Sequence, residues 1–243
     1  MDIREVTDAG GKSRITRMIS EALPDWFEAN PCRVYVMALK KGEQKTMITI
    51  RVAKEEDAAR LLEIYAYYVK NTAVSYEYEV PSLAEFTERV RSTLVNYPYL
   101  VAEEDGRIAG YIYASRFAQR AAYGWAAGTS IYIDEAYHRK GLGRLLYEKL
   151  EAILKLQNIT NLYAGAADPM DEEDPYLTRN SEHFHEAIGY KTVARYHGCG
   201  SKFGRWYNLL WMEKIINEHS VPPKEVLPFS ELDDSAVQAI LKS

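Results

Sequence analysis

A basic, glycine-containing segment, His138–Gly143 (HRKGLG), holds the residues of this chain whose types and spacing best suit the binding of an anion. An alternating apolar run precedes it and an amphipathic helical pattern follows it, so the segment joins a predicted strand to the first turn of a predicted helix. Glycine has no side chain to block a ligand, and the free backbone N–H groups at a helix N-terminus favour negative charge. Arg139, Lys140 and Arg144 add positive charge around these amides. The segment therefore predicts a site for a phosphate-bearing cofactor.

The composition is that of an ordinary globular protein. Of the 243 residues, 47% are hydrophobic and 27% are charged, which is the usual balance for a chain that buries a core. The formal net charge of −5 argues against a nucleic-acid partner, since such partners usually select a basic domain or stripe. No apolar run reaches membrane-spanning length and the N-terminus lacks a signal-peptide core, so we expect a cytoplasmic protein without a membrane partner. The two cysteines, Cys32 and Cys199, have no metal-ligand spacing, and no metal is expected.

The chain divides into three predicted parts. The polar, basic stretch Lys40–Thr46 suits a linker, so a main domain is expected at 47–214. Residues 1–46 would form an N-terminal extension. Residues 215–243 would form a C-terminal tail with a short helix at Glu231–Leu241.

Alternating strand and helix patterns in the main domain predict a mixed sheet flanked by helices. Ser82-x-x-Glu85 is a capping box that opens a helix, and Asp105-Gly106 between two apolar runs predicts a β-hairpin. Gly189 occupies the C-terminal capping place of a short helix. Outside the strand and helix that flank the basic segment, strands are predicted at Thr49–Val52, Tyr99–Glu103, Arg107–Ser115, Asn161–Ala167, Lys191–Tyr196 and Trp206–Lys214, and helices at Glu55–Val69 and Ser181–Ile188.

Four segments, taken in order, carry a resemblance to a known family. They are Arg120–Asp134 (RAAYGWAAGTSIYID), His138–Gly143, Phe184–Tyr190 (FHEAIGY) and Lys202–Asn208 (KFGRWYN). The second resembles the loop pattern Q/R-x-x-G-x-G/A of the GNAT-type N-acetyltransferases, and the others resemble the stretch before that loop, a late helix and a closing segment. Within that superfamily the chain is most similar to the phosphinothricin acetyltransferase group. Residues 1–46 resemble the opening strand and helix of another GNAT domain, cut short.

The resemblance implies an α/β fold with a splayed, mostly antiparallel central sheet flanked by helices. Acetyl-coenzyme A is the implied cosubstrate, its pantetheine arm lying in the splay like an extra strand, and no metal is implied. Backbone groups of Ile131, Tyr132 and Ile133 are expected to pair with that arm. Asn180 matches an asparagine that contacts the cofactor in this family. The pyrophosphate is expected to bind the backbone amides of Arg139, Lys140, Gly141, Leu142, Gly143 and Arg144.

The chain departs from the family at the position of the general base. Acetyl transfer to an amine needs a group that removes the amine proton, and in the phosphinothricin-like group that group is a glutamate in a W-x-x-E motif. Here the motif reads WAAG and ends at Gly128, which has no side chain to accept a proton. Gly128 either marks a rebuilt or weakened site, or serves a bulge in the strand.

His185, Arg120 and Tyr123 are the side chains that the resemblance assigns to catalysis and to the acceptor. His185 stands where the phosphinothricin-like group carries histidine and is predicted to transfer a proton; the alternative is a helix histidine satisfied by a backbone partner. Arg120 and Tyr123 match positions near the acceptor site, where an arginine could bind a substrate carboxylate. A surface arginine stacked on a tyrosine explains them equally well.

The function implied is an N-acetyltransferase that moves acetyl from acetyl-coenzyme A to the primary amine of a small, amino-acid-like molecule by direct attack in a ternary complex. The alternative is a coenzyme A-binding module with lost or weak catalysis that acts as a sensor or interaction protein. The acidic segment Asp168–Asp174 is expected to be a solvated loop or a lid over the acceptor. The tail could reach across a homodimer.

Overall fold

The computed structural model describes residues 48–243 of the chain. The predicted N-terminal extension, 1–46, lies outside these residues, and so does the similarity of that extension to a second domain. The main domain and the tail follow in order.

Seven strands form a single sheet in the order β1-β2-β3-β4-β5-β7-β6. Every pairing is antiparallel except the parallel one between β4 and β5. This arrangement confirms the predicted mostly antiparallel sheet. The strands are β1 (Ile48–Val52), β2 (Tyr99–Glu104), β3 (Arg107–Arg116), β4 (Ala126–Ile133), β5 (Asn161–Pro169), β6 (Lys191–Lys202) and β7 (Arg205–Ile215). The helices are α1 (Ala58–Asn71), α2 (Leu83–Asn96), α3 (Leu142–Leu156), α4 (Asn180–Ala187) and α5 (Asp234–Lys242).

Local signals begin and end several of these elements where they were predicted. The Ser82 side chain accepts a hydrogen bond from the Glu85 backbone N–H and opens α2. Asp105 and Gly106 join β2 to β3 with φ of 51° and 80°, the paired left-handed conformation that tight hairpins use. Gly189 follows α4 with φ of 98°. These three predictions are confirmed.

Three predicted boundaries are wrong by three residues or more. Helix α1 begins at Ala58 rather than Glu55, because Glu55–Asp57 form a 3-10 turn. Strand β6 continues past Tyr196 to Lys202, with a register shift between Tyr196 and Gly200 that its strand pattern did not show. The tail helix begins at Asp234 rather than Glu231, because the residues before it form a short 3-10 turn and Asp233 then caps the helix.

The two faces of the sheet are covered by different helices. Helix α3 buries Leu146, Leu150 and Ile153 against one face, each fully excluded from solvent. Full burial of one such side chain stabilises the fold by about 1.5–3 kcal/mol. The tail helix α5 packs into the same cluster through Val237 and Leu241. Helices α1 and α2 cover the opposite face of the sheet.

The sheet opens between β4 and β5. These strands are paired only at Ala126–Asn161, Ala127–Leu162 and Gly128–Tyr163, although β4 runs on to Ile133 and β5 to Pro169. Beyond the last pair, β4 stays with β3 and β5 stays with β7, so the two halves of the sheet diverge. The predicted splay is confirmed, and its vertex lies at Gly128 and Tyr163.

Candidate active site

The N-terminus of α3 lies at the open end of the splay because a single 3-10 turn, Glu135–Tyr137, and the basic segment connect β4 to α3. Gly141 is the N-cap residue, with φ of 81°, and it supplies no side-chain cap. Helices α2 and α5 by contrast are capped by Ser82 and Asp233. The first N–H groups of α3 therefore have no side-chain acceptor, which fits the binding of an anion there.

The packing of this turn favours glycine at position 143. A Cβ built at Gly143 would lie 3.0 Å from Phe184 Cζ and 3.1 Å from Phe184 Cε2, closer than two carbon atoms normally approach. Leu142, its neighbour, is buried in the α3 core and fixes the turn to the sheet. The backbone of the first turn is thus held in place by Leu142 on one side and Phe184 on the other.

The three basic side chains around this turn are exposed. Lys140 Nζ lies 3.0 Å from Glu104 Oε2 and 4.5 Å from the centroid of the Tyr137 ring. Arg144 donates to the Ala187 carbonyl at 3.1 Å, and Arg139 takes a left-handed backbone conformation with φ of 62°. The segment presents positive charge at the mouth of the splay.

The three β4 residues predicted to pair with the pantetheine arm follow the divergence point. Ile131 and Ile133 turn their side chains to the α3 face, and Tyr132 turns to the α1 and α2 face. The Ile133 carbonyl already accepts from the Tyr68 hydroxyl at 2.5 Å and lies 2.9 Å from His138 Nε2. An arm that pairs with the Ile133 carbonyl would therefore compete with these two side chains.

His185 is 5% exposed, and both of its ring nitrogens have partners. Its Nδ1 lies 2.7 Å from the Ser181 carbonyl oxygen, which can only accept, so Nδ1 carries the proton and Nε2 accepts from the Tyr147 hydroxyl at 2.8 Å. Tyr147 Oη in turn lies 3.1 Å from Thr129 Oγ1, the first β4 residue beyond the vertex. Burial lowers the pKa of His185, which keeps the ring neutral. Tyr147 thus connects His185 to Thr129 on β4.

Gly128 faces the other side of β4. A Cβ built there would lie 3.1 Å from Ser115 Oγ on β3, so a serine hydroxyl stands where a family glutamate would start. On its other flank Gly128 is paired with Tyr163. The vertex thus carries a serine and a tyrosine, but no carboxylate at position 128.

A cavity of about 630 Å³ lies beside the first paired residues of β4 and β5, Ala126 and Asn161, and its wall includes Lys155 near the C-terminal end of α3. Tyr163 of the vertex pair lines it, and Gly128 does not. That volume is typical of small-molecule sites. Tyr123, which was predicted to lie near the acceptor, lines this cavity. Arg120 is the N-cap residue of the one-turn helix that carries Tyr123. Its side chain is exposed and does not line the cavity. The sequence interpretation missed further lining residues: Phe117, Tyr163 and, from the tail, Asn217, Glu218, His219, Ser220, Pro223 and Lys224. A strand residue such as Tyr163 gives no local signal of the cavity it faces.

Both ends of the acidic segment, Asp168–Asp174, are held by ion pairs. Asp168 is 1% exposed, with Arg179 Nη1 3.2 Å from its Oδ1 and the Asn208 side chain donating to its Oδ2 at 3.0 Å. Asp174 lies 3.4 Å from Arg205 Nη1. Asn180, the predicted cofactor contact, is exposed at the start of α4, six positions after Asp174.

Within the part of the chain that the structure covers, no group of histidine, cysteine and acidic residues could hold a metal ion. Over the same range no helix is long and apolar enough to cross a membrane.

The splayed sheet and the uncapped helix define an acetyltransferase of the GNAT type, and comparison with known proteins agrees. Residues 50–211 match the family model described as Acetyltransferase (GNAT) domain. The chain therefore belongs to the GNAT acetyltransferase family.

Particular relatives narrow the likeness to one group. Phosphinothricin N-acetyltransferase of Streptomyces viridochromogenes is 28% identical over 189 residues, which are 78% of this chain and 98% of that protein. The L-methionine sulfoximine/L-methionine sulfone acetyltransferase of Salmonella typhimurium is 29% identical and matches 72% of this chain and 98% of that protein. The predicted resemblance to the phosphinothricin acetyltransferase group is confirmed, and with it acetyl-coenzyme A-dependent N-acetyl transfer.

A solved relative shows the cosubstrate in place. The phosphinothricin acetyltransferase of Sinorhizobium meliloti, determined in complex with acetyl-coenzyme A, superposes with a TM-score of 0.66 at 29% identity. The match covers 75% of this chain and 97% of that one. This supports acetyl-coenzyme A as the cosubstrate.

Proposed function

We propose that this protein transfers acetyl from acetyl-coenzyme A to the primary amine of a small, amino-acid-like molecule by direct attack in a ternary complex. The observation that carries the proposal is the vertex of the splay, where an opening that begins at the α3 N-terminus ends at Tyr163, a residue that also lines the cavity of about 630 Å³. Relatives named for phosphinothricin and for methionine sulfoximine support an amino-acid-like acceptor.

The two faces of β4 suit the two substrates. Thr129 turns toward Tyr147 and His185, whereas its neighbour Gly128 turns toward Ser115 and the cavity side, because successive strand residues face opposite ways. The amine would attack from the Gly128 face, and the departing thiolate would meet the Tyr147 hydroxyl with His185 behind it. Holding both reactants at one vertex supplies much of the acceleration.

The proposed binding roles are those that the family resemblance implies. The amides at Arg139–Arg144 would hold the pyrophosphate, the β4 backbone at Ile131–Ile133 would pair with the pantetheine arm, and Asn180 would contact the cofactor. Tyr123 would form part of the acceptor wall, and Arg120, exposed beside it, would bind a substrate carboxylate. We also propose a cytoplasmic location and a homodimer. The tail helix α5 packs on α3 of its own chain.

The experiment is a measurement of thiol release from acetyl-coenzyme A with a panel of amines that includes phosphinothricin, methionine sulfoximine, methionine sulfone and the common amino acids. Turnover with at least one amino-acid-like amine, and none with its N-blocked form, is expected. The absence of a general base at Gly128 favours one competing function, a coenzyme A-binding module. Stabilisation by acetyl-coenzyme A in a thermal shift assay without turnover of any amine would establish that function instead.

A further inference from the structure

A carboxylate lies one strand beyond the vertex, on the side of the sheet that Gly128 faces. Tyr163 on β5 and Glu213 on β7 are register partners in an antiparallel pair, so their side chains share a face. The Tyr163 hydroxyl donates to Glu213 Oε1 at 2.5 Å, and Asn161 Nδ2 donates to the same oxygen at 3.1 Å. Tyr163 and Glu213 thus form a hydrogen-bonded tyrosine–carboxylate pair.

Tyr163 stands beside the position where the base is missing. Gly128 and Tyr163 are the last paired residues of β4 and β5, and neighbouring strands lie about 4.8 Å apart. Phe117 stacks on the Tyr163 ring at a centroid distance of 4.2 Å, and Trp211 contacts it edge-on at 6.3 Å. The hydroxyl is therefore held by a rigid aromatic group at the edge of the acceptor cavity, which Tyr163 lines.

The charged and titratable groups near Glu213 and Asn161 do not replace the hydrogen bond between Tyr163 and Glu213. Lys191 is the register partner of Glu213 on β6, and His219 from the tail lies 2.7 Å from Asn161 Oδ1 by its Nε2. Burial, with the hydrogen bond to Glu213 and the charge of that carboxylate, raises the pKa of Tyr163 to about 12. The Tyr163 hydroxyl thus stays protonated and donates a hydrogen bond to the Glu213 carboxylate.

We propose that Tyr163 contacts the attacking amine and that Tyr163 and Glu213 together take up its proton, in place of the absent glutamate at position 128. This rests on the acetyl transfer proposed above. The amine nitrogen bonds to the acetyl carbon and the C–S bond breaks. The amine proton passes to Tyr163 Oη while the Tyr163 hydroxyl proton passes to Glu213 Oε1, and the coenzyme A thiolate takes up a proton from water on the Tyr147 side of β4. Glu213 then returns its proton to water, which resets the pair. No free tyrosinate forms, because the two transfers are coupled.

The test compares Tyr163→Phe and Glu213→Gln with the wild-type protein in kcat/KM for the best amine between about pH 6 and pH 10. Tyr163→Phe keeps the ring stacked on Phe117 and removes only the hydroxyl. A loss on the order of 100-fold near pH 7 is expected for each, the scale of one general base. The deficit should shrink as the pH rises, because hydroxide from the solvent can then take the proton that the variants no longer accept. Affinity for acetyl-coenzyme A, measured by calorimetry, should stay within about twofold of wild type.

Tyr196→Phe is the matched control, since Tyr196 is exposed on the edge strand β6, and it should leave the pH profile unchanged. A rescue variant separates proton transfer from structure. Gly128→Glu with Ser115→Ala, which removes the Oγ that would crowd the new side chain, should recover at least tenfold of the activity lost in Glu213→Gln.

The outcomes separate the two proposals. Wild-type protein that turns over no amine overturns the proposed function. Active wild-type protein with unchanged kcat/KM and pH profile in both variants overturns the tyrosine–carboxylate pair alone. A pH-independent loss that the Gly128→Glu variant does not rescue assigns the pair a structural role and also overturns it.

Discussion

Replacing Gly143 by alanine tests whether the first turn of α3 holds the pyrophosphate. The new methyl group would lie 3.0 and 3.1 Å from two ring carbons of Phe184, whereas carbon atoms pack best at about 3.5–4.0 Å. The turn and the ring must therefore separate by about half an ångström. Such overpacking lowers the free energy of unfolding by about 1–3 kcal/mol, and the better helix propensity of alanine raises it by at most about 1 kcal/mol. We expect a net loss of about 1 kcal/mol in the free energy of unfolding.

Gly143→Ala should have its larger effect on the affinity for acetyl-coenzyme A. Displacing an N–H group from a charged phosphate oxygen removes a hydrogen bond worth about 1.5–3 kcal/mol, which raises the Kd of acetyl-coenzyme A by about 10- to 100-fold. Calorimetric titration of the Gly143→Ala variant with acetyl-coenzyme A measures this change in Kd. Adding Phe184→Leu to that variant should restore part of the affinity, because it removes the ring that the new methyl group would crowd.

Gly204→Ala is the control for stability alone. Gly204 has φ of 72° in the β6–β7 hairpin, so alanine there is strained, yet it lies far along the chain from the α3 turn. It should lower the unfolding temperature without changing acetyl-coenzyme A affinity. Unchanged affinity in Gly143→Ala, with the expected loss of stability, would refute the assignment of the pyrophosphate to this turn.

Three further changes test other parts of the site and fold. His185→Ala should slow thiol release and cost about 1–3 kcal/mol in the free energy of unfolding, because it leaves the buried Tyr147 hydroxyl without its acceptor; full turnover in that variant would remove the proton-transfer role. Arg120→Ala should raise KM for amines that carry a carboxylate but not for their decarboxylated analogues, and equal KM changes for both would contradict the assignment. Burial opposes ionisation of Asp57, but hydrogen bonds from Arg51 and the Lys54 N–H prevail and lower its pKa. Its contribution to stability is complete above the unfolded-state pKa of about 3.9 and is lost as the pH falls through the lower folded-state pKa, so Asp57→Asn should destabilise the protein at about pH 7 and much less at about pH 2, as measured by denaturant unfolding.

Much of the fold could be predicted because its signals are local. The Ser82 cap, the Asp105-Gly106 turn and Gly189 each act on residues within a few positions along the chain. The end of β6 could not be predicted in this way. Its glycine-containing residues 198–200 lack strand alternation, and they remain in the strand because β7 pairs with the residues on either side of the register shift.

The candidate site likewise has one part with a local sequence signal and one part that depends on tertiary packing. The anion-binding turn is contiguous in the chain, so its glycines and basic residues were recognisable from the sequence. His185 was recognisable only as a residue type at a family position; its burial, its tautomer and its dependence on Tyr147 come from the packing of α4 against α3.

The sequence by itself determined the position of the phosphate-binding turn and the absence of a carboxylate at Gly128, because both are properties of consecutive residues. Only the tertiary structure decided what stands beside that glycine. Tyr163 and Glu213 are 50 residues apart and meet because β5 pairs with β7, and Tyr163 lies next to Gly128 because β5 also pairs with β4 up to the vertex. Register between distant strands depends on the packing of the whole sheet, which no local pattern encodes.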